Sequence, residues 1–346
     1  MSLGVEAPGV PAFFPHRAPE PGPGQFRVRT VATGLSAGTE LTLVKGTNPY
    51  HRRTWDRQLR VFRDGPPTSS YPVRGMGYME VGEVTDSRVD GVEPGTLLAM
   101  AYGHATAHTV DAGEPRQPLP AGFDPVLGTL VAQMGPICAN GLLHAAAQAG
   151  TDGLGGGVAG RRVLVTGAGV VGLVTGLFAA AHGAASVAVA DVTPQRLAAA
   201  RGLGLQAVDE REVPAWKWCK TAWPGGADLA FQCRGRSSSL VTALKALRPE
   251  GTVVDLAFYQ DGAPDLRLGE EFHHNALTVR CAQIGRVPLG WDRSGLAAAT
   301  VDLLGKAGAA VREHVVTDVL PLDDAPAFLV ELAERRRHAL LAVFLP

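Results

Sequence analysis

The chain has 346 residues, a formal net charge of −1, 46% hydrophobic residues and four cysteines. That length exceeds what one hydrophobic core usually organises, so two domains are expected, and the near-neutral charge with scattered arginines leaves no basic footprint for nucleic acid. Cys138, Cys219, Cys233 and Cys281 lack metal-type spacing, Met1-Ser2-Leu3-Gly4 lacks the pattern of a secretory leader, and the apolar run around 170–181 is too short to span a bilayer; a reducing, cytoplasmic setting without membrane contact is expected.

Residues 1–25, rich in proline and glycine, read as an irregular edge segment. Short β-type runs at 26–31, 77–85, 96–101 and 107–110, separated by turn residues, predict a β-rich region. Between them, 44–71 is polar and arginine-bearing, and reads as a loop or short helix. An apolar helix over 130–149 then leads through the flexible Gly153-Leu154-Gly155-Gly156-Gly157 segment to the most informative stretch of the chain.

That stretch, Val163-Leu164-Val165-Thr166-Gly167-Ala168-Gly169-Val170-Val171-Gly172, is a short apolar strand broken by glycines and followed by a helical pattern. Each glycine has its own task. Gly167 permits a tight turn, Gly169 permits backbone to approach a pyrophosphate, and Gly172 permits the helix to pack closely on the strand. The phosphates would sit at the helix N-terminus, against Val170 and Val171, where free N–H groups favour an anion. The next strand, 185–190, ends at Asp191, 24 residues beyond Gly167, near the spacing at which a carboxylate meets an adenosine ribose 2′-OH. NAD(H) is therefore expected over NADP(H), with Arg196 a candidate adenosine or ribose contact.

The alternation continues with a strand at 227–233, a helix at 237–247, a strand at 251–258 and another at 277–282. Helices are expected over 291–307 and 323–338, and a last strand over 340–345. The class is α/β, with a doubly wound parallel sheet of Rossmann type.

This order resembles the medium-chain dehydrogenase/reductase family. Besides the nucleotide motif, the resemblance rests on Gly34-Leu35-Ser36-Ala37-Gly38-Thr39-Glu40-Leu41, on Gly77-Tyr78-Met79-Glu80-Val81-Gly82-Glu83-Val84 and on Leu320-Pro321-Leu322-Asp323-Asp324-Ala325. It implies a GroES-like β-rich catalytic domain at 1–135, completed by 284–346, and a Rossmann domain at 136–283. It further implies that Cys233, Ala257, Ala282 and Ile284 border the cofactor, and that the edge strand at 277–282 pairs two copies into a homodimer. Zinc-dependent members hold their metal where this chain has Ala37, Tyr78 and Met134. Alanine has no donor, tyrosine is an uncommon zinc ligand and methionine suits softer metals, so no catalytic zinc is expected.

Without a Lewis acid another group must protonate the substrate oxygen. The candidates are Tyr78, Thr39 at the family's hydroxyl-relay position, Glu80 on the Tyr78 side of a strand by period-two alternation, and His51 in the following loop. His273 and His274, adjacent on an expected strand, point to opposite faces and make a poor metal pair. His144 reads as a satisfied core histidine, and Cys138 and Cys233 as structural thiols. The leading expectation is a zinc-independent NAD(H) oxidoreductase acting on a small polar alcohol or ketone. An enone or quinone reductase, and an NAD-binding protein catalysing a redox-neutral rearrangement or elimination, stand as alternatives.

Overall fold

A computed structural model describes every residue except Asp261 and Leu289. The chain packs as two units: Met1–Gln133 with Thr317–Pro346, and Met134–Val316.

The first unit opens with a hairpin, β1 (Ser2–Ala7) and β2 (Val10–Phe14), where an irregular segment was expected. Pro8 and Gly9 form only its turn, with Gly9 at φ 82°, while alternate residues Leu3 and Val5 are fully buried. Each such burial contributes on the order of 2 kcal/mol, which fixes the strand despite its punctuated sequence. β3 (Gln25–Gly34) is followed by α1 (Ala37–Val44) and by a second hairpin, β4 (Thr54–Asp56) with β5 (Val61–Arg63), inside the stretch read as loop or helix. β6 (Glu80–Ser87), β7 (Leu97–Met100), β8 (Ala107–Asp111), β9 (Arg116–Pro118) and the short α2 (Pro125–Thr129) complete this part. Alternate side chains of β3, Phe26 and Val28, enter a core with Val84, Leu98, Met100 and Val110, the period of a half-buried antiparallel strand.

β6 begins at Glu80, not at Gly77 as the pattern suggested. Gly77 adopts φ 95°, and a side chain there would meet the His104 ring at 2.8 Å, so the backbone turns before the strand starts. Tyr78 therefore precedes β6, and the alternation that paired it with Glu80 does not apply.

The second unit starts at α3 (Gly135–Gln148), then β10 (Arg162–Thr166), α4 (Val170–Ala181), β11 (Ser186–Asp191), α5 (Pro194–Gly202), β12 (Gln206–Asp209), α6 (Ala215–Ala222), β13 (Ala227–Gln232), α7 (Ser237–Ala246), β14 (Leu247–Asp255), α8 (Glu271–His274), β15 (Thr278–Cys281) and α9 (Arg293–His314). The sheet order is β12-β11-β10-β13-β14-β15, all parallel. The order reverses between β10 and β13, the point outside which ligands bind in such sheets. Strands covered on both faces read as unbroken apolar runs, as in 163–165 and 187–190. His273 and His274 lie on α8, both exposed, because the chain makes a helical turn before β15. α9 packs on α3, α4 and α5, so 284–316 stands with the second unit.

The chain then returns to the first unit through β16 (Val316–Pro321), α10 (Ala325–Ala333) and β17 (Leu341–Leu345). The first unit's sheet runs β16-β17-β3-β6-β7-β9, with β8 on β3.

The tightest joint of the second unit lies between β10 and α4. A Cβ on Gly172 would stand 1.8 Å from the Gly167 carbonyl oxygen, a backbone contact that no side chain can yield to. Gly172→Ala is expected to destabilise the protein by about 2 kcal/mol or more, as overpacking against rigid backbone does. A thermal melt indistinguishable from wild type would show that helix and turn do not close in this way.

Candidate active site

In the first unit, Ser36 stands at the N-terminus of α1, and Glu40, one turn on, reaches back so that its Oε1 accepts the Ser36 N–H at 2.8 Å. Glu40 Oε2 lies 2.8 Å from His104 Nε2, and His104 Nδ1 lies 2.8 Å from Thr33 Oγ1. His104, Thr33 and Glu40 are all buried. Room for the imidazole comes from Gly77, where a Cβ would meet the ring at 2.8 Å; Gly103 lets the neighbouring backbone close on Met76, whose carbonyl oxygen a Cβ there would approach to 2.4 Å.

Tyr78 is half-buried beside this cluster, and its hydroxyl donates to Ser36 Oγ. The Thr39 side chain is hydrogen-bonded to it as well. Burial, and after it the Glu40 carboxylate, push the phenol above its ordinary value, against the pull of the Ser36 and Thr39 hydrogen bonds. Tyr78 is thus held as a neutral donor.

His51 stacks on Tyr71 at 4.5 Å, and its Nδ1 donates to the Ser69 carbonyl at 2.9 Å. That bond fixes the tautomer and leaves Nε2, buried and without a hydrogen-bond partner, as an acceptor. An open cavity of about 370 Å³ borders the same strip, lined by Asn48, Tyr50, Trp55, Arg57, Thr68 and Ser69.

Glu80 goes elsewhere. It is fully buried; its Oε1 accepts from Thr30 Oγ1 at 2.5 Å, and its Oε2 has no hydrogen-bond partner. His108 Nε2 lies 3.7 Å from Oε2, yet burial raises the Glu80 carboxyl to about 8 and lowers His108 to about 4. At neutral pH both are uncharged, so the contact is not an ion pair.

In the second unit, Gly167 turns at φ 99° directly after β10, and a Cβ on Gly169 would point into open space in front of α4. α4 carries no side-chain cap, so the N–H groups of its first turn face that space without an intrahelical partner. The buried Asp191 carboxylate clamps the loop: Oδ2 accepts the Ala168 N–H at 2.9 Å, and Oδ1 accepts those of Val192 at 2.8 Å and Thr193 at 2.9 Å. Burial acts to raise its pKa, but the Ala168 hydrogen bond, the Arg196 charge at 3.8 Å and Thr193 outweigh it and hold the group below its usual value.

Cys233 follows β13, its N–H on the Thr166 carbonyl at 2.9 Å; burial, with Cys138 and Asp255, raises its thiol well above the ordinary value. Burial pushes Cys138 up to about 12. Both are unreactive thiols. The Ala257 N–H donates to Asp255 Oδ1 at 2.9 Å, the Ala282 carbonyl accepts from Asn140 Nδ2 at 3.2 Å, and Ile284 is half-buried in the turn after β15. His144 is satisfied on both nitrogens, by Arg280 at 3.0 Å and the Arg286 carbonyl at 2.7 Å.

A polar chain at the sheet's C-terminal edge had no sequence signal. Thr166 Oγ1 donates to Gln232 Oε1 at 2.5 Å, Gln232 Nε2 donates to Tyr259 Oη at 3.1 Å, and Tyr259 donates to Asp255 Oδ2 at 2.8 Å.

Residues 170–291 match the family model described as zinc-binding dehydrogenase. Over 101 residues the chain is 38% identical to L-idonate 5-dehydrogenase of Vitis vinifera, covering 26% of each chain. Over 99 residues it is 35% identical to sorbitol dehydrogenase of Rattus norvegicus, covering 28% of each. The chain thus spans about a quarter of the length of these curated relatives. Galactitol-1-phosphate dehydrogenase from Escherichia coli superposes with a TM-score of 0.79 at 17% identity, over 100% of this chain and 99% of that one. The chain has the fold of that dehydrogenase over its whole length.

Within this fold, the expected catalytic residues and those of the glycine turn fall into three groups, while Cys233, Ala257, Ala282 and Ile284 stand singly after β13, β14 and β15. Tyr78 and Thr39 come together, joined by Ser36, Glu40 and His104, which sequence reasoning missed. Gly167, Gly169, Val170, Val171, Gly172, Asp191 and Arg196 gather at one strand-to-helix turn. Glu80 and His51 each stand apart from Tyr78 in their own hydrogen-bond settings.

Because folded Glu80 keeps its proton to about pH 8 while the unfolded chain releases it near 4.5, stability should fall as pH rises through that window. Glu80→Gln should abolish this slope, so that above pH 8 the variant exceeds wild type by on the order of a few kcal/mol while the two converge below pH 4.5. Urea unfolding across pH 4 to 9 measures it; parallel profiles would mean that Glu80 is ionised in the fold.

Proposed function

We propose that the protein is an NAD(H)-dependent oxidoreductase that interconverts a small polar alcohol and ketone of the polyol type named in its relatives, without a catalytic zinc. The observation that carries this reading is the glycine turn between β10 and α4, clamped by Asp191 and open at Gly169. Its residues fit a dinucleotide: the pyrophosphate would face the free N–H groups of α4, and Asp191 would face the adenosine ribose. The bound nicotinamide supplies or accepts the hydride.

Zinc does not fit the residues present. Ala37 offers no donor, the Tyr78 hydroxyl is tied to Ser36 and Thr39, and the Met134 thioether is buried. Among the described residues no three His, Cys, Asp or Glu side chains group as a metal site. Tyr78 then serves as the proton donor to the carbonyl oxygen, the form in which its surroundings keep it.

Asp191 already accepts three backbone N–H groups and is approached by Arg196 and the Thr193 side chain, so a ribose hydroxyl would have to share its oxygens with these donors. Its charge opposes a 2′-phosphate, and Arg196 softens that opposition in part. NADH is expected to bind at least several-fold tighter than NADPH in calorimetric titrations. Asp191→Ser should narrow the gap; equal affinities in wild type would remove Asp191 from the ribose.

Tyr78→Phe should lower kcat by on the order of 10²-fold in ketose reduction, the scale of a lost general acid. Cofactor affinity should hold, since Tyr78 belongs to the other unit from the glycine turn. Elemental analysis should find no stoichiometric zinc. One zinc per chain, or unchanged kcat in the variant, would overturn the zinc-free acid mechanism.

A further inference from the structure

Ser36 holds the position at which a serine normally caps its helix, with its hydroxyl accepting an N–H from the first turn. Here it does not: Ser36 makes no side-chain cap bond to α1. Asn48, Asp124 and Asp292 cap their helices through the N–H of Tyr50, Val126 and Gly295, whereas Ser36, like Thr193 and Asp324, makes no such bond. The Ser36 hydroxyl receives the Tyr78 proton instead, while Glu40 reaches back to the Ser36 N–H and is itself braced by His104. What sets Ser36 apart is the partner of its hydroxyl: the phenol of Tyr78, 42 positions on, occupies it, while Glu40 holds the backbone at the helix start.

We propose that Ser36 is the positioning partner of Tyr78: its hydroxyl holds the phenol proton in the resting site, then rotates to donate to the phenolate oxygen once that proton has left. This rests on the reading of Tyr78 as the acid. In ketone reduction, hydride from the reduced nicotinamide forms the new C–H bond and the nicotinamide is oxidised. The Tyr78 O–H bond breaks, its proton forms the alcohol O–H, and the phenolate later regains a proton from water. A buried phenolate needs donors, and the Ser36 and Thr39 hydroxyls are those in place. Glu40, the charged group acting on Tyr78, opposes the phenolate, which makes those donors more consequential. Glu40 and His104 fix the Ser36 backbone, so that its hydroxyl need only turn about one bond.

The test compares Ser36→Ala and Ser36→Thr with wild type by three readouts. These are steady-state reduction of a ketose by NADH, thermal melting, and the ζ-¹³C tyrosine resonance of Tyr78, assigned with Tyr78→Phe. Ser36→Ala should lower kcat about tenfold or more with KM within about twofold, because the lost contact acts in the transition state. Its melting temperature should fall only modestly, because the hydroxyl caps no helix N–H and its loss removes the one bond to Tyr78. The Tyr78 resonance should move in Ser36→Ala, and both it and kcat should return towards wild type in Ser36→Thr. A lower melting temperature with kcat and resonance unchanged would make Ser36 an ordinary helix cap and overturn the proposal. A shifted resonance in a protein that turns over no alcohol or ketone would support the pairing while removing the alcohol–ketone reading.

Discussion

The close approach of α4 to the end of β10 is the constraint on which the second unit depends. With hydrogen alone on Gly172, the helix begins against the Gly167 carbonyl, and its first-turn N–H groups open at the point where the sheet order reverses. Asp191, arriving at the end of β11, locks the same turn through the Ala168 N–H. Three glycines and one carboxylate thus convert a sheet edge into an anion-ready cradle. The apolar strands behind it, buried on both faces, supply the rigidity.

The first unit places two glutamates out of water and gives them opposite surroundings. Glu40 has a backbone donor and an imidazole within 2.8 Å, and sits below Ser36 and Tyr78. Glu80 has one threonine hydroxyl and a bare second oxygen, and burial turns it into a weak acid. Glu40 braces the Tyr78 cluster, while Glu80 is enclosed within the sheet.

The sequence by itself determined what short spacing encodes. The glycine motif, the apolar runs of a parallel sheet and the acidic residue at the end of the second strand are all contained within about thirty residues, and each follows from a local steric or periodic rule. The family resemblance singles out Tyr78 and Thr39 separately and does not foresee their proximity. The tertiary structure alone decided what joins distant segments. His104 reaches Glu40 across 64 positions and Thr33 across 71, and no periodicity connects them. The face of Glu80 was misread for a related reason: alternation presumes a strand, and the chain makes a left-handed turn at Gly77, where a Cβ would meet the His104 ring, before a strand that begins only at Glu80 itself. The N-terminal hairpin was obscured because Pro8 and Gly9 dominate the local pattern, whereas Leu3 and Val5 gain their stabilisation only from a core assembled with α10 and β17.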